Sequence, residues 1–144
     1  YAPRPDWRAE GCTGYLTSGR KKMTDQKIIN DFFRNYVDKG FKYVQNSVKL
    51  NPQHTDAHRR TTFEACNVLL QNGIPFWTEV RLKNGCIPDI VAPTHITPII
   101  EIMSSETEEM FDRNKGSPYE TLGFQKSQMK FIDANLEFDP ICLF

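Results

Sequence analysis

The chain has 144 residues, of which 39% are hydrophobic and 25% are charged, as in ordinary globular proteins. Lys and Arg together number 18, as do Asp and Glu, so the formal net charge is zero. This length predicts a single domain with a sufficient apolar core. The balanced charge excludes a polybasic binder of the histone type, but it does not exclude a nuclease, whose acidic metal site offsets basic residues elsewhere.

The four cysteines are widely spaced and form no CxxC pair: Cys12, Cys66, Cys86 and Cys142. In a chain with an adequate core this pattern favours reduced thiols and an intracellular setting, the cytoplasm or the nucleus. No stretch approaches the roughly 18 to 20 consecutive apolar residues that a membrane span needs, so no membrane association is expected.

Residues 1–22 are rich in Pro and Gly and show no sustained period, which predicts an irregular N-terminal arm before a domain at 23–144. Thr24 and Asp25 are candidate N-caps for a helix over 26–38. Its aromatic and aliphatic residues recur at helical spacing and form either a core face or an interface: Ile28, Ile29, Phe32, Phe33, Tyr36 and Val37.

Residues 41–50 alternate weakly and predict either a strand or a short helix. A second helix is expected over 55–71, with Asn72-Gly73 as its end. His54 and His58 are four residues apart, a spacing that places two metal ligands on one helical face. Because His54 is expected to precede the helix, a solvent-exposed pair is the favoured interpretation.

The middle of the chain predicts a three-stranded meander. Residues 74–82 alternate as a strand, and the Asn84-Gly85 turn pairs them with a strand over 86–91. A second turn then brings a strand over 98–103 alongside.

Two of these strands carry a carboxylate within an apolar run, Asp89 in the second and Glu101 in the third. Asp and Glu are poor strand residues, and they cost free energy when buried without partners. A shared divalent cation, Mg²⁺ or Mn²⁺, accounts for two such residues on neighbouring strands.

The remaining chain predicts a polar loop or broken helix over 104–117, a helix over 119–135 and a last strand over 138–144. That strand is expected to join the sheet in parallel, with the helix as the crossover. The predicted fold is therefore an α/β domain in which helices flank a small mixed sheet, the meander plus a C-terminal strand.

Over roughly residues 60 to 132 the sequence resembles the PD-(D/E)xK nuclease superfamily, through Pro88-Asp89 and Glu101-Ile102. The superfamily includes Holliday-junction resolvases and virus-type replication-repair nucleases. The resemblance implies a restriction-endonuclease-like fold and Mg²⁺- or Mn²⁺-dependent hydrolysis of phosphodiester bonds, in DNA more than in RNA. Met103 stands where the motif has its lysine.

The resemblance also implies the metal ligands. Glu64 on the helix before the sheet is either a solvent-facing residue or the inward carboxylate of this superfamily, beside Asp89 and Glu101. The backbone carbonyl of Ile102 is an expected further ligand, and Glu79 on the first strand is a reserve ligand.

Three interpretations of Met103 stay open, because methionine carries neither a charge nor an exchangeable proton. The basic group has moved to the helix over 119–135, as Lys126 or Lys130, where Gln125 resembles the glutamine that helps to place water or phosphate. Alternatively, the nuclease is inactivated at this position. In the third interpretation the fold is retained only to bind nucleic acid or protein.

His58, Arg59, Arg60 and Lys83 are the candidate contacts to nucleic acid. His58 is also a candidate manganese ligand, because viral cap-snatching RNA endonucleases of the superfamily have a histidine before their helical acid. The superfamily further suggests a homodimer, with the helix over 26–38 as the candidate interface. An unrelated α/β domain with both strand carboxylates in solvent is the remaining alternative.

Overall fold

The computed structural model describes residues 19–104 and 117–144, except for the side chains of 19–23 and 117. The chain has a mixed α/β fold. Its helices and strands, in chain order, are α1 (Gly19–Tyr36), α2 (Asp56–Gln71), β1 (Trp77–Thr78), β2 (Ile90–Val91), β3 (Ile99–Met103), α3 (Ser117–Thr121) and β4 (Met129–Asp133). Two 3₁₀ turns follow α3 and β4, at Lys126–Gln128 and Pro140–Leu143.

The strands form one sheet in the order β1-β2-β3-β4. The first three strands run antiparallel, and β4 pairs with β3 in parallel. The predicted meander is therefore confirmed. Its Asn84-Gly85 turn closes through a bond from the Leu82 N–H to the Cys86 carbonyl at 2.8 Å, with Gly85 at a φ of 87°.

The strand predicted over 74–82 is shorter in the structure because the backbone turns at Glu79, which has a φ of 55°. This left-handed conformation is uncommon for a residue other than glycine, and it ends the regular ladder. Beyond it Leu82 bridges Val37 at the end of α1, instead of extending the pairing with β2.

The helix predicted over 119–135 is wrong. Its first turn exists as α3, but Gly123, at a φ of 99°, ends the helix. The Gly123 N–H donates to the Glu120 carbonyl at 2.9 Å and the Phe124 N–H to the Tyr119 carbonyl at 3.2 Å. This is the bond pattern with which a left-handed glycine closes a helix. The chain then extends and becomes β4.

The strand predicted over 138–144 is also wrong, since a 3₁₀ turn occupies Pro140–Leu143. Asp139 caps this turn by accepting a bond from the Ile141 N–H at 3.1 Å, and proline at the first helical position favours the turn. The strand that pairs in parallel is therefore β4, which precedes the segment over 138–144 where that strand was predicted.

Apolar clusters cover both faces of the sheet. The first lies between the sheet and α1 and α3, and it includes Ile29, Phe32, Trp77, Val91, Ile99, Tyr119 and Met129. The second lies between the sheet, α2 and the C-terminal turn, and it includes Ala65, Cys66, Leu69, Ile90, Ile100, Ile102, Ile132 and Leu143. Side chains of β3 alternate between the two clusters, as the pleat requires.

Helix α1 packs its aromatic stripe on the chain's own sheet. Phe32 is buried, and Phe33 lies edge-on to Trp77 with ring centroids 4.8 Å apart. The stripe proposed for an interface is therefore largely core. The helix includes Gly19, so it begins before the predicted start at residue 26, and residues 41–50 form neither a strand nor a helix. Within the described ranges, no helix is both long and apolar enough to cross a membrane.

Candidate functional site

Asp89 and Glu101 face each other at the end of the β2–β3 ladder. The ladder pairs Ile90 with Ile100, so one further residue in the same register sets Asp89 opposite Glu101. Residues opposite each other on antiparallel strands project to the same face. Both side chains are buried, at 7% exposure for Asp89 and 1% for Glu101.

The Asp89 carboxylate occupies the place where β2 leaves β3. Its Oδ2 accepts the Ile102 N–H at 2.8 Å, which gives that strand donor a partner after the backbone pairing ends. The same oxygen lies 3.4 Å from Nε2 of His58 on α2. Burial acts to raise the pKa of Asp89, but the hydrogen bonds and charge from His58 and the Ile102 N–H outweigh it, so the pKa is lowered.

Glu101 has a different partner. The Tyr119 hydroxyl of α3 donates a hydrogen bond to Glu101 Oε1, and Tyr119 is itself only 1% exposed. Burial, followed by the charge of Glu101, raises the pKa of Tyr119, so this phenol remains a donor. The residues 105–116 that connect β3 to α3 lie outside the described ranges.

The first turn of α2 brings His58 to the sheet. Thr55 caps the helix, since its hydroxyl accepts the His58 N–H at 3.1 Å. His58 shares the buried face of α2 with Thr61, Thr62 and Ala65. The preceding His54 lies against the His58 ring, with centroids 3.9 Å apart. The two histidines are therefore not a solvent-exposed pair, because His58 is buried.

One group of potential metal ligands forms within residues 19–104 and 117–144. It consists of His54, His58 and Asp89, with one ligand atom of each lying within 4.8 Å of the others. Glu64 is absent from this group. It follows His58 by six residues, which turns it about 120° away around the helix, and it lines a cleft with Arg60 and Phe138 near the C-terminal turn.

Met103 lies on the same face of β3 as Glu101 and packs against the first apolar cluster. The two lysines proposed to replace it do not lie on the predicted helix. Lys130 is on β4, paired with Ile100, so it belongs to the opposite face, near Cys142. Lys126 and Gln125 are exposed at the 3₁₀ turn before β4, where the Gln125 N–H donates to the Gln128 side chain.

The two remaining expected ligands flank Asp89. The Ile102 N–H points to Asp89, and because both backbone groups of a strand residue point to one edge, its carbonyl points to that edge too. Glu79 donates its N–H to the Asp89 carbonyl at 3.4 Å, across the end of the β1–β2 ladder. Its role as a reserve ligand stays a prediction.

The residues proposed to contact nucleic acid are scattered. Arg59 pairs with Asp56 and donates to the carbonyls of Asn51 and His54, so it holds the turn before α2. Arg60 is exposed beside the cleft that contains Glu64. Lys83 donates to the Arg34 carbonyl at 2.9 Å.

Sequence reasoning missed Tyr119 and gave little weight to His54. The signal for His54 was its spacing from His58, although it lies just before the helix and reaches its partner from the turn. Nothing local marks Tyr119, because it meets Glu101 only after the chain has crossed residues 105–116. No family model, no curated protein and no solved structure matches this chain.

Proposed function

We propose that this chain is a divalent-metal-dependent endonuclease for phosphodiester bonds in DNA, related to the PD-(D/E)xK superfamily, that is inactivated at Met103. One observation carries the proposal: Asp89 and Glu101, the two acids of the motif, are both buried at the end of the β2–β3 ladder. The element order supports it, since helix α2 is followed by β1, by Pro88-Asp89 with β2, and by β3 with Glu101, the order that the resemblance implies.

Two adjacent buried carboxylates repel each other when both are charged, so a proton or a cation between them is needed. The lowered pKa of Asp89 keeps that residue anionic, which suits a cation ligand. Mg²⁺ and Mn²⁺ accept carboxylate oxygens and retain coordination positions for phosphate and water. Bound here, such an ion supplies polarisation of the phosphate and a more acidic water.

The protein's own residues hold these ligands in place. The Ile102 N–H and His58 orient Asp89, while the Tyr119 hydroxyl fixes Glu101. Glu64, which lines a separate cleft, is not needed for this arrangement. The expected ligand set is therefore Asp89, Glu101 and the Ile102 carbonyl, with Glu79 in reserve.

A second candidate, a nuclease fold that binds nucleic acid or protein without turnover, is favoured by Met103. Its side chain packs into the apolar cluster beside Glu101, where the superfamily has a cation. Lys130 lies on the other face of the sheet and Lys126 is exposed on a turn, so the moved-lysine interpretation loses support. An inactivated enzyme and a pure binder both agree with this placement.

A third candidate, RNA cleavage of the cap-snatching type, is favoured by the contact between His58 and Asp89 at 3.4 Å. In that interpretation His58 is a manganese ligand. The homodimer has less support, because the aromatic residues of α1 contribute to the chain's own core.

The test is cleavage of labelled linear, flapped and four-way-junction DNA, and of RNA of matched sequence, in Mn²⁺ by this chain and by Met103→Lys. We expect cleavage by the lysine form only, lost again in Met103→Lys combined with Glu101→Gln. Cleavage of RNA alone would favour the third candidate.

The same variants are compared by thermal unfolding with and without Mn²⁺, because a bound ion raises the melting temperature. Glu101→Gln should relieve carboxylate repulsion in the metal-free protein and lose the Mn²⁺-induced rise. If neither the chain nor Met103→Lys cleaves or responds to Mn²⁺, the nuclease proposal fails and the binding module replaces it.

A further inference from the structure

We propose that His54, His58 and Asp89 form a binding site for a tetrahedral transition-metal ion of the Zn²⁺ class. The site goes beyond the proposed nuclease activity, because it requires no cleavage and does not use Glu101. It shares Asp89 with the carboxylate pair and His58 with the manganese site of the third candidate, and His54 belongs to this site alone. The chemical distinction is the donor set, two imidazole nitrogens and one carboxylate oxygen, which favours zinc-like ions over Mg²⁺.

The distances match a tetrahedral ion. His58 Nε2 and Asp89 Oδ2 are 3.4 Å apart. Two donors at Zn²⁺ bond lengths of about 2.0–2.2 Å stand about 3.3–3.5 Å apart in a tetrahedron. One potential ligand atom of His54 lies within 4.8 Å of one from His58 and one from Asp89. A complete three-ligand site requires the donor atom of His54 to lie about 3.3–3.5 Å from the other two.

The contacts of His58 with Thr62 direct its Nε2 towards Asp89. The Thr62 hydroxyl donates its proton to the His58 carbonyl at 2.9 Å, and its oxygen lies 3.5 Å from His58 Nδ1. The Thr62 hydroxyl oxygen can therefore only accept a hydrogen bond from Nδ1–H of His58. Hydrogen bonds of this kind to the second ring nitrogen orient metal-bound histidines in proteins. Nε2 therefore faces Asp89 Oδ2, and a metal ion bound here would take the place of a proton between the two atoms.

His54 is held by the turn before α2. The His54 N–H donates to the Asn51 carbonyl at 3.1 Å, and Arg59 donates both to that carbonyl and to the His54 carbonyl. The Thr55 cap then fixes the start of the helix that carries His58. His54 is half-buried, whereas His58 and Asp89 are buried, so an ion held here would be reached from the His54 side. Three protein ligands and one open position are typical of reactive zinc sites.

The probe is Co²⁺ alone, whose visible absorption is intense in tetrahedral coordination, followed by displacement with Zn²⁺. We expect one ion per chain, with the affinity lowered at least about tenfold in His54→Ala, since even outer-shell changes cost about 10–100-fold. His95→Gln is the matched control. It removes a histidine beyond the other end of β2, and the amide can still donate to the Leu143 carbonyl that Nε2 of His95 contacts.

Glu101→Gln separates this inference from the nuclease proposal. The tetrahedral Co²⁺ spectrum should persist in Glu101→Gln and disappear in His54→Ala and Asp89→Asn. If Glu101→Gln abolishes Co²⁺ binding while His54→Ala leaves it unchanged, the ion belongs to the carboxylate pair and the histidine site is refuted. Absence of Co²⁺ binding to the unaltered chain refutes it as well. The melting temperature of His54→Ala without metal is measured as well. A value equal to that of the unaltered chain verifies that the variant is folded.

Discussion

At the scale of single residues, each buried carboxylate has its own polar partners. Asp89 completes the strand bonding of β3 through the Ile102 N–H and contacts His58, while Glu101 accepts from Tyr119. These bonds lower the cost of burying two acids, because buried polar groups are expensive chiefly when unpaired. They do not remove the repulsion that the two groups exert when both are charged, and this repulsion is relieved by a proton or by a bound cation.

Tyr119→Phe tests the partner of Glu101. The change leaves the ring in the apolar cluster and removes the donor, so a buried carboxylate loses a hydrogen bond. We expect the free energy of unfolding, measured in urea, to fall by about 2 kcal/mol.

Tyr36→Phe is the control, because it removes a hydroxyl from a half-buried tyrosine that packs on the same cluster. Its effect should be well below that of Tyr119→Phe. Equal losses in the two variants would mean that the bond to Glu101 contributes nothing specific.

At the scale of elements, the start of α2 determines where His58 lies. Thr55 accepts the His58 N–H, so the cap and the histidine are joined in one turn. Thr55→Ala should lower the free energy of unfolding by about 1 kcal/mol in urea, the usual loss for a helix cap. Thr55→Ser keeps the hydroxyl, so its free energy of unfolding should be close to that of the unaltered chain. A serine variant as unstable as the alanine variant would contradict the cap.

The elements also explain what the sequence could predict. The meander followed from a strong turn signal, Asn84-Gly85, and its pairing then set Asp89 opposite Glu101. The helix predicted over 119–135 was wrong because the spacing of Leu122, Met129 and Ile132 fits a helix, although the segment after α3 forms a strand. Gly123 was the available stop signal. Tyr119 could not be found, since its contact with Glu101 depends on packing between distant elements.

At the scale of the whole molecule, the sheet separates two apolar layers, and the acid pair lies where β2 and β3 diverge. Helix α2 reaches that point from one layer through His58, and α3 reaches it from the other through Tyr119. Both layers therefore meet at the carboxylates, and the charge state of the pair is coupled to the stability of the entire fold.

This coupling predicts a pH dependence. The folded-state pKa of Asp89 is lowered, whereas an unfolded aspartate titrates near about 3.9. The unfolded chain thus binds the proton more readily, and stability rises with pH in this range. The stabilisation by Asp89 is complete above about pH 4 and is lost as the pH falls through the folded-state value.

Urea unfolding of the unaltered chain and of Asp89→Asn, at about pH 7 and at steps below about pH 4, measures this contribution. We expect a stability advantage of the unaltered chain at neutral pH that shrinks as the solution is acidified. Asp133→Asn, at an exposed aspartate that ends β4, should show no comparable change. An advantage that stays constant or grows on acidification would contradict a stabilising, charged Asp89. Asp89 would then not contribute to stability as a charged group, and the argument that a cation lies between the two carboxylates would fail.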